Sequence, residues 1–138
     1  MQSSLPLIKI VGVSAAGKST LVAALRERGY NARPASQEHS SVPDMWRRIR
    51  PPALLIYLDA DLDAQQARRP DVSWNAQALA AEKERLQHAQ AHADLYIDTR
   101  PLTASQVLER ALEFLHEKNV PHGHAPLPPL PPTGAAKP

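Results

Sequence analysis

Gly12, Gly17, Lys18 and Ser19 stand in the order G-x-x-x-x-G-K-S within "KIVGVSAAGKST", residues 9–20. That spacing suits a cradle for phosphate. The glycines let the backbone bring successive N–H groups around one point, and a helix starting near Lys18 turns the positive end of its dipole toward it. Lys18 supplies a mobile cation suited to β- and γ-phosphates, and the Ser19 hydroxyl is suited to Mg²⁺. The pattern carries this meaning only between a strand and a helix. Both are predicted. "LIKIV" (7–11) is an apolar run with β-branched residues, and "KSTLVAALRER" sets Leu21, Val22 and Leu25 at helical spacing before Gly29 stops it.

Further candidates lie outside the loop. "SQEHS" (36–40) follows a weak strand, "YNARPA", at the sheet edge where ligands of open α/β folds bind. Glu38 there is suited to act as a general base on an acceptor hydroxyl or to position water or Mg²⁺, with His39 as a hydrogen-bonding partner. Arg47, Arg48 and Arg50 beside Trp46 can clamp an anionic substrate, and the same segment also reads as a short amphipathic helix. Arg68 and Arg69 close a short helix. There they either neutralise charge on a transferring phosphoryl group or compensate the helix dipole. His88 and His92 are four apart on one face but lack a third ligand, so a surface position is expected.

The elements that must position these residues alternate. "ALLIYLD" (53–59) is the strongest strand and is apolar enough to be buried on both faces. Asp61 caps a short helix through Arg69, a long alanine-rich helix runs from Ser73 to Ala93 with Trp74 as a packing anchor, and "DLYID" (94–98) is another strand. The last helix opens with a capping box from Thr103 to Gln106 and aligns Val107, Leu108, Ala111, Leu112 and Leu115. The expected fold is α/β, three-layered, with a reduced and mostly parallel sheet of about four strands joined by helical crossovers. The folded domain is expected over 1–120. Residues 121–138, "PHGHAPLPPLPPTGAAKP", read as a proline-rich disordered tail.

At "GVSAAGKST" the sequence resembles the P-loop NTPase superfamily. Together with "LLIYLDADLDAQQARRP" and "ADLYIDTRPLTASQVLERALEFL" it is similar to the small-kinase branch that includes shikimate, gluconate and adenylylsulfate kinases. The resemblance implies that Gly12, Ser14, Ala15, Ala16, Gly17, Lys18, Ser19 and Thr20 line the phosphates of ATP with Mg²⁺. It implies that Arg68 or Arg69 is a lid arginine; with the candidates outside the loop, the expected function is transfer of the γ-phosphoryl group to a small-molecule acceptor near Glu38, His39 and Arg47. Only 40–49 separates "SQEH" from "RPPALLIYLD", so a strand and a helix of such kinases are missing. Asp59 accordingly reads two ways: as the carboxylate that holds Mg²⁺ through water beside the loop strand, or as a cap before the lid. A nucleotide hydrolase and a regulatory module without turnover are the alternative functions.

Composition narrows the remaining classes. The 138 residues include no cysteine, which excludes disulfides, thiolate metal sites and cysteine nucleophiles and fits a reducing, cytoplasmic setting. A formal net charge of +2 gives no nucleic-acid footprint. No apolar run approaches the roughly 20 residues that span a bilayer, and the N-terminus lacks the charged and apolar regions of a secretion signal.

Overall fold

The apolar run after Pro6 is a strand, β1 (Leu7–Gly12), interior to a four-stranded sheet in the computed structural model, which describes residues 5–130. The other strands are β2 (Asn31–Pro34), β3 (Leu54–Asp59) and β4 (Leu95–Asp98). Their order is β2-β1-β3-β4, and every pairing is parallel. β3 lies between β1 and β4, and its consecutive Leu55, Ile56, Tyr57 and Leu58 are all buried, as a strand covered on both faces requires. β2 forms one edge, so Pro34 at its end removes no donor needed by a second neighbour.

The described residues form five α-helices: α1 (Lys18–Glu27), α2 (Leu62–Arg68), α3 (Ala76–Arg85), α4 (Gln87–His92) and α5 (Ala104–Glu117), of which α1, α4 and α5 pack on the sheet. α1 packs on β1, β2 and α5, whereas α4 packs on β3, and the result is the reduced three-layer α/β arrangement expected. Caps fix the helix starts. The Asp61 side chain accepts from the Ala64 N–H at 2.9 Å, and Thr103 and Gln106 form the reciprocal capping box of α5. Val107, Ala111, Phe114 and Leu115 bury the inner face of α5. Among the described residues no helix is long and apolar enough to cross a membrane.

The long alanine-rich helix expected over 73–93 is instead two helices that start later. Asn75, not Ser73, caps α3 by accepting from the Ala78 N–H at 2.8 Å, and the chain breaks at Leu86 between α3 and α4. Burial explains the break. Leu86 and Ala89 are fully buried, whereas α3 buries no residue, so α4 follows the sheet while α3 diverges across the 37–39 turn.

Residues 121–130 of the proline-rich segment form neither helix nor strand, but they lie against the domain. The Gly123 N–H donates to the Gly29 carbonyl and the Leu127 N–H to the Arg26 carbonyl, both at 2.8 Å. Arg26, itself buried, donates from Nε to the Pro128 carbonyl at 2.8 Å, and the His122 ring packs on Tyr30. Leu130, the last described residue, packs on the core. Residues 131–138 lie outside the described residues. Truncation after Val120 is expected to lower unfolding stability by on the order of 2 kcal/mol, from lost hydrogen bonds at Arg26 and exposure of Tyr30, as measured by urea denaturation.

Arg100, just beyond β4, joins two acidic positions. It donates to the Asp98 carboxylate at 2.7 Å and lies 3.5 Å from that of Asp61. Hydrogen bonding from Arg100 holds Asp98 below the usual carboxylate range, and Asp61 is lowered first by the Ala64 N–H and then by Arg100. Both carboxyls therefore bind protons less readily folded than unfolded. Their stabilisation is complete above the unfolded value of about 4 and is lost as pH falls through the depressed native values. Arg100→Ala is expected to flatten this acid limb in a pH series of thermal midpoints, with the difference from wild type shrinking toward pH 2.

Candidate functional site

Residues 12–19 leave the end of β1 and turn into α1. Gly12 must be glycine for space, because a Cβ there would strike the Leu58 carbonyl of β3. Gly17 must be glycine for conformation: it has φ 101°, and nothing lies near the position of its missing Cβ. Ala15 adopts φ 63°, a left-handed geometry uncommon for a residue with a side chain. Among the described residues no side chain caps α1, so the first-turn N–H groups lack the partner that Ser, Thr, Asp or Asn would provide.

Lys18 folds back over this turn. Its Nζ donates to the Gly12 carbonyl at 3.0 Å and to Glu38 Oε2 at 2.8 Å. The Glu38 side chain is only 5% exposed, and its Oε1 is buried without a hydrogen-bond partner among the described residues. Gln37 beside it positions the turn. Fully buried, it donates to the Val42 carbonyl and accepts from the Trp46 N–H, each at 2.8 Å.

A cavity of about 720 Å³ opens over the loop. Of the residues singled out from sequence, Ser14, Ala15, Gly17, Lys18, Ser19, Thr20, Glu38, His39, Arg68 and Arg69 line it. A second, apolar slot of about 340 Å³ runs between α1 and α5, walled by Leu21, Leu102, Val107 and Leu108. The two share Gly17, Thr20 and Arg68, so the polar cavity and the apolar slot adjoin; Ala16 faces the slot.

The two arginines behave differently. Arg68 donates to the Ala15 carbonyl at 2.8 Å, to Thr99 Oγ1 at 3.1 Å and to the Thr99 carbonyl at 2.6 Å, tying α2 to the loop and to the end of β4. Arg69 pairs with Asp71 at 2.9 Å on the cavity rim. Trp74 is not the core anchor its size suggests; it lines the same cavity, and its indole N–H donates to the Arg69 carbonyl at 2.9 Å.

Asp59 and Arg47 lie outside this cavity. One Asp59 oxygen accepts from the Ala60 N–H at 2.9 Å and lies 3.6 Å from Lys83 Nζ, and the other accepts from the Tyr96 hydroxyl. Burial first, and then Asp59, pushes the Tyr96 phenol up to about 12. β3 lies beside the loop strand β1, and its terminal Asp59 is engaged by Ala60 and Tyr96, whereas the carboxylate that pairs with Lys18 comes from Glu38 after β2. Arg47 and Arg48 both pair with Asp44, and hydrogen bonding, led by Arg48, lowers the Asp44 carboxyl. His88 accepts the Trp46 indole N–H at 3.1 Å and stacks on His92 rather than joining an acidic or histidine cluster.

Three residues given no role in the sequence analysis hold the loop or the Arg68 that braces it. Glu82 of α3 accepts from the Ser14 N–H and hydroxyl, Gln65 donates to the Ser14 carbonyl at 2.9 Å, and Thr99 receives Arg68. None of them belongs to a local motif. Gln65 repeats one helical turn after Asp61, and Glu82 looks like an ordinary polar residue of an alanine-rich helix.

The Lys18–Glu38 pair is largely withdrawn from water, with side chains 14% and 5% exposed. Removing one partner strands the other charge. Lys18→Ala is therefore expected to destabilise the fold by on the order of 3 kcal/mol in urea titrations, and adding Glu38→Gln to restore most of the loss.

A scan against protein-family models finds no match to this chain, and a search of curated proteins finds none either.

Proposed function

We propose that this chain is a P-loop protein that binds ATP with Mg²⁺ and acts as a small kinase, transferring the γ-phosphoryl group to a small-molecule acceptor. The observation that carries the reading is the junction at Gly17, Thr20 and Arg68, where an uncapped glycine turn bearing Lys18 meets an apolar slot. Phosphates need the first and a flat heterocycle needs the second. The residue pattern at 12–19, with its resemblance to P-loop kinases, supports the same assignment.

On this reading the N–H groups from Ser14 to Thr20 and the Lys18 ammonium hold the phosphates. Leu21, Leu102 and Leu108 take the base. Ser19 and Glu38 are the fitting residues for Mg²⁺: both line the cavity, and the buried Glu38 Oε1 is an acceptor without a partner among the described residues. The cation supplies charge neutralisation at the phosphates. Glu38 takes this role in preference to Asp59, which is engaged by Ala60 and Tyr96. Arg68 and Arg69 supply positive charge from the α2 side, and His39 with Trp74 offers an acceptor a hydrogen-bonding and stacking wall. Positioning and electrostatics provide the rate enhancement in phosphoryl transfer. The absence of cysteine accords with a reducing, cytoplasmic location.

One observation favours a second reading, a nucleotide-binding regulatory module. Between β2 and β3 only short 3-10 turns occur, where kinases of the resembled branch carry further elements that hold an acceptor. Calorimetry with Mg·ATP, Mg·GTP and Mg·ADP, combined with phosphate release in the same samples, tests both readings. Micromolar binding that Lys18→Ala weakens at least about tenfold, with slow phosphate release, is expected for the kinase. Binding with no release over hours selects the regulatory module. Absence of binding by the folded wild type overturns both readings.

A further inference from the structure

Ser14 directs two donors at one group: its N–H reaches Glu82 Oε1 at 3.0 Å and its hydroxyl reaches Oε2 at 2.6 Å. A backbone N–H and a hydroxyl converging on paired anionic oxygens is the arrangement by which such a turn grips phosphate. A carboxylate of the chain itself therefore fills one end of the cradle.

The helix that delivers it is lightly held. α3 has no buried residue, and 66–73 before it is exposed throughout. Apart from the half-buried Leu79, which packs on the core, polar contacts attach α3: Glu82 to Ser14, Lys83 to Asp59 at 3.6 Å, and the Arg85 guanidinium to the Glu38 carbonyl at 2.9 Å. Each of them ends on the loop, on the turn beside it or at the end of β3.

We propose that Glu82 is a built-in competitor for the phosphate ligand. In the free protein its carboxylate satisfies the Ser14 donors. An entering phosphate needs the same donors and repels the carboxylate, so binding is coupled to release of α3. This rests on reading residues 12–19 as a phosphate site. It assigns Glu82 a task separate from that of Glu38, whose carboxylate pairs with Lys18 and not with Ser14.

The test uses the full chain as wild type, Glu82→Gln, Glu82→Ala and Lys18→Ala, with inorganic tripolyphosphate as the probe. Binding is measured by calorimetry, and amide exchange over 76–85 is followed in the same samples. The Glu82 variants are expected to bind tripolyphosphate about tenfold more tightly than wild type. Saturating probe is expected to raise exchange over 76–85 in wild type toward the level of probe-free Glu82→Ala. Glu82→Gln keeps the side-chain size and serves if the alanine variant melts early. If Lys18→Ala abolishes binding but the Glu82 variants leave it unchanged or weaker, the competitor is overturned and the phosphate site stands. If neither wild type nor the Glu82 variants bind, the phosphate site falls and the competitor with it.

Discussion

The Lys18 ammonium holds together the end of β1, the start of α1 and the turn that follows β2, through its bonds to the Gly12 carbonyl and Glu38. Two constraints leave little freedom at this point. On one side the Leu58 carbonyl passes so near Gly12 that no side chain fits there. On the other, the buried Glu38 carboxylate needs a counter-charge, since an unpaired charge in this environment is strongly disfavoured. The loop is thus packed from β3 and pinned from the β2 side, and its unusual backbone angles at Ala15 and Gly17 are held by both.

The turn that carries Glu38 is stabilised in a way suited to a short sheet. Between β2 and β3 the chain forms only two short 3-10 turns, and polar side chains reach inward there. Gln37 bonds Val42 and Trp46, and the Lys9 ammonium from β1 donates to the Trp46 carbonyl at 2.8 Å. Burial first, and then Arg50, lowers the Lys9 pKa, the cost of bringing a cation this far in. Trp46 contributes the apolar part of the plug and passes its indole N–H to His88 on α4. Glu38 therefore occupies its position through a network of buried bonds, which fixes direction more tightly than a mobile loop would.

Much of the fold was legible because its signals are local. Strand and helix periods, the Asp61 cap and the Thr103–Gln106 box depend on neighbours within one turn, and they recur in the structure where the sequence puts them. The glycine turn at 12–19 was legible for the same reason. What escaped depends on packing between distant segments. The break at Leu86 arises because Leu86 follows the sheet while α3 does not, and an alanine-rich run carries no mark of that. Composition alone could not reveal that the proline-rich stretch meets Arg26 and Gly29, because those bonds use backbone carbonyls present in any sequence. Asp59 reads two ways from sequence, and strand order sets β3 beside both β1 and β4, so only the long-range contact from Tyr96 shows what its carboxylate meets. Glu82 reaches the loop across 68 positions and Thr99 reaches Arg68 across 31, distances at which spacing rules are silent.

The two halves of the candidate site are prepared differently, and this asymmetry shapes how recognition would work. The apolar slot between α1 and α5 is preformed by side chains that also pack the core, so filling it removes apolar surface from water with little rearrangement. Apart from the uncapped first turn of α1, the polar half is already satisfied internally: Lys18 by Glu38, Ser14 by Glu82, and Arg68 by Ala15 and Thr99. A phosphate that takes these groups exchanges an internal partner for an external one, and such exchanges yield much less net free energy than the gross strength of the bonds. On the proposed reading, affinity comes chiefly from the base in its slot and from charge on the phosphates beyond what one carboxylate supplies. The exchange of partners then decides which segments move. α3 is the segment best suited to do so, because it gives up polar contacts that water can replace and no buried apolar residue.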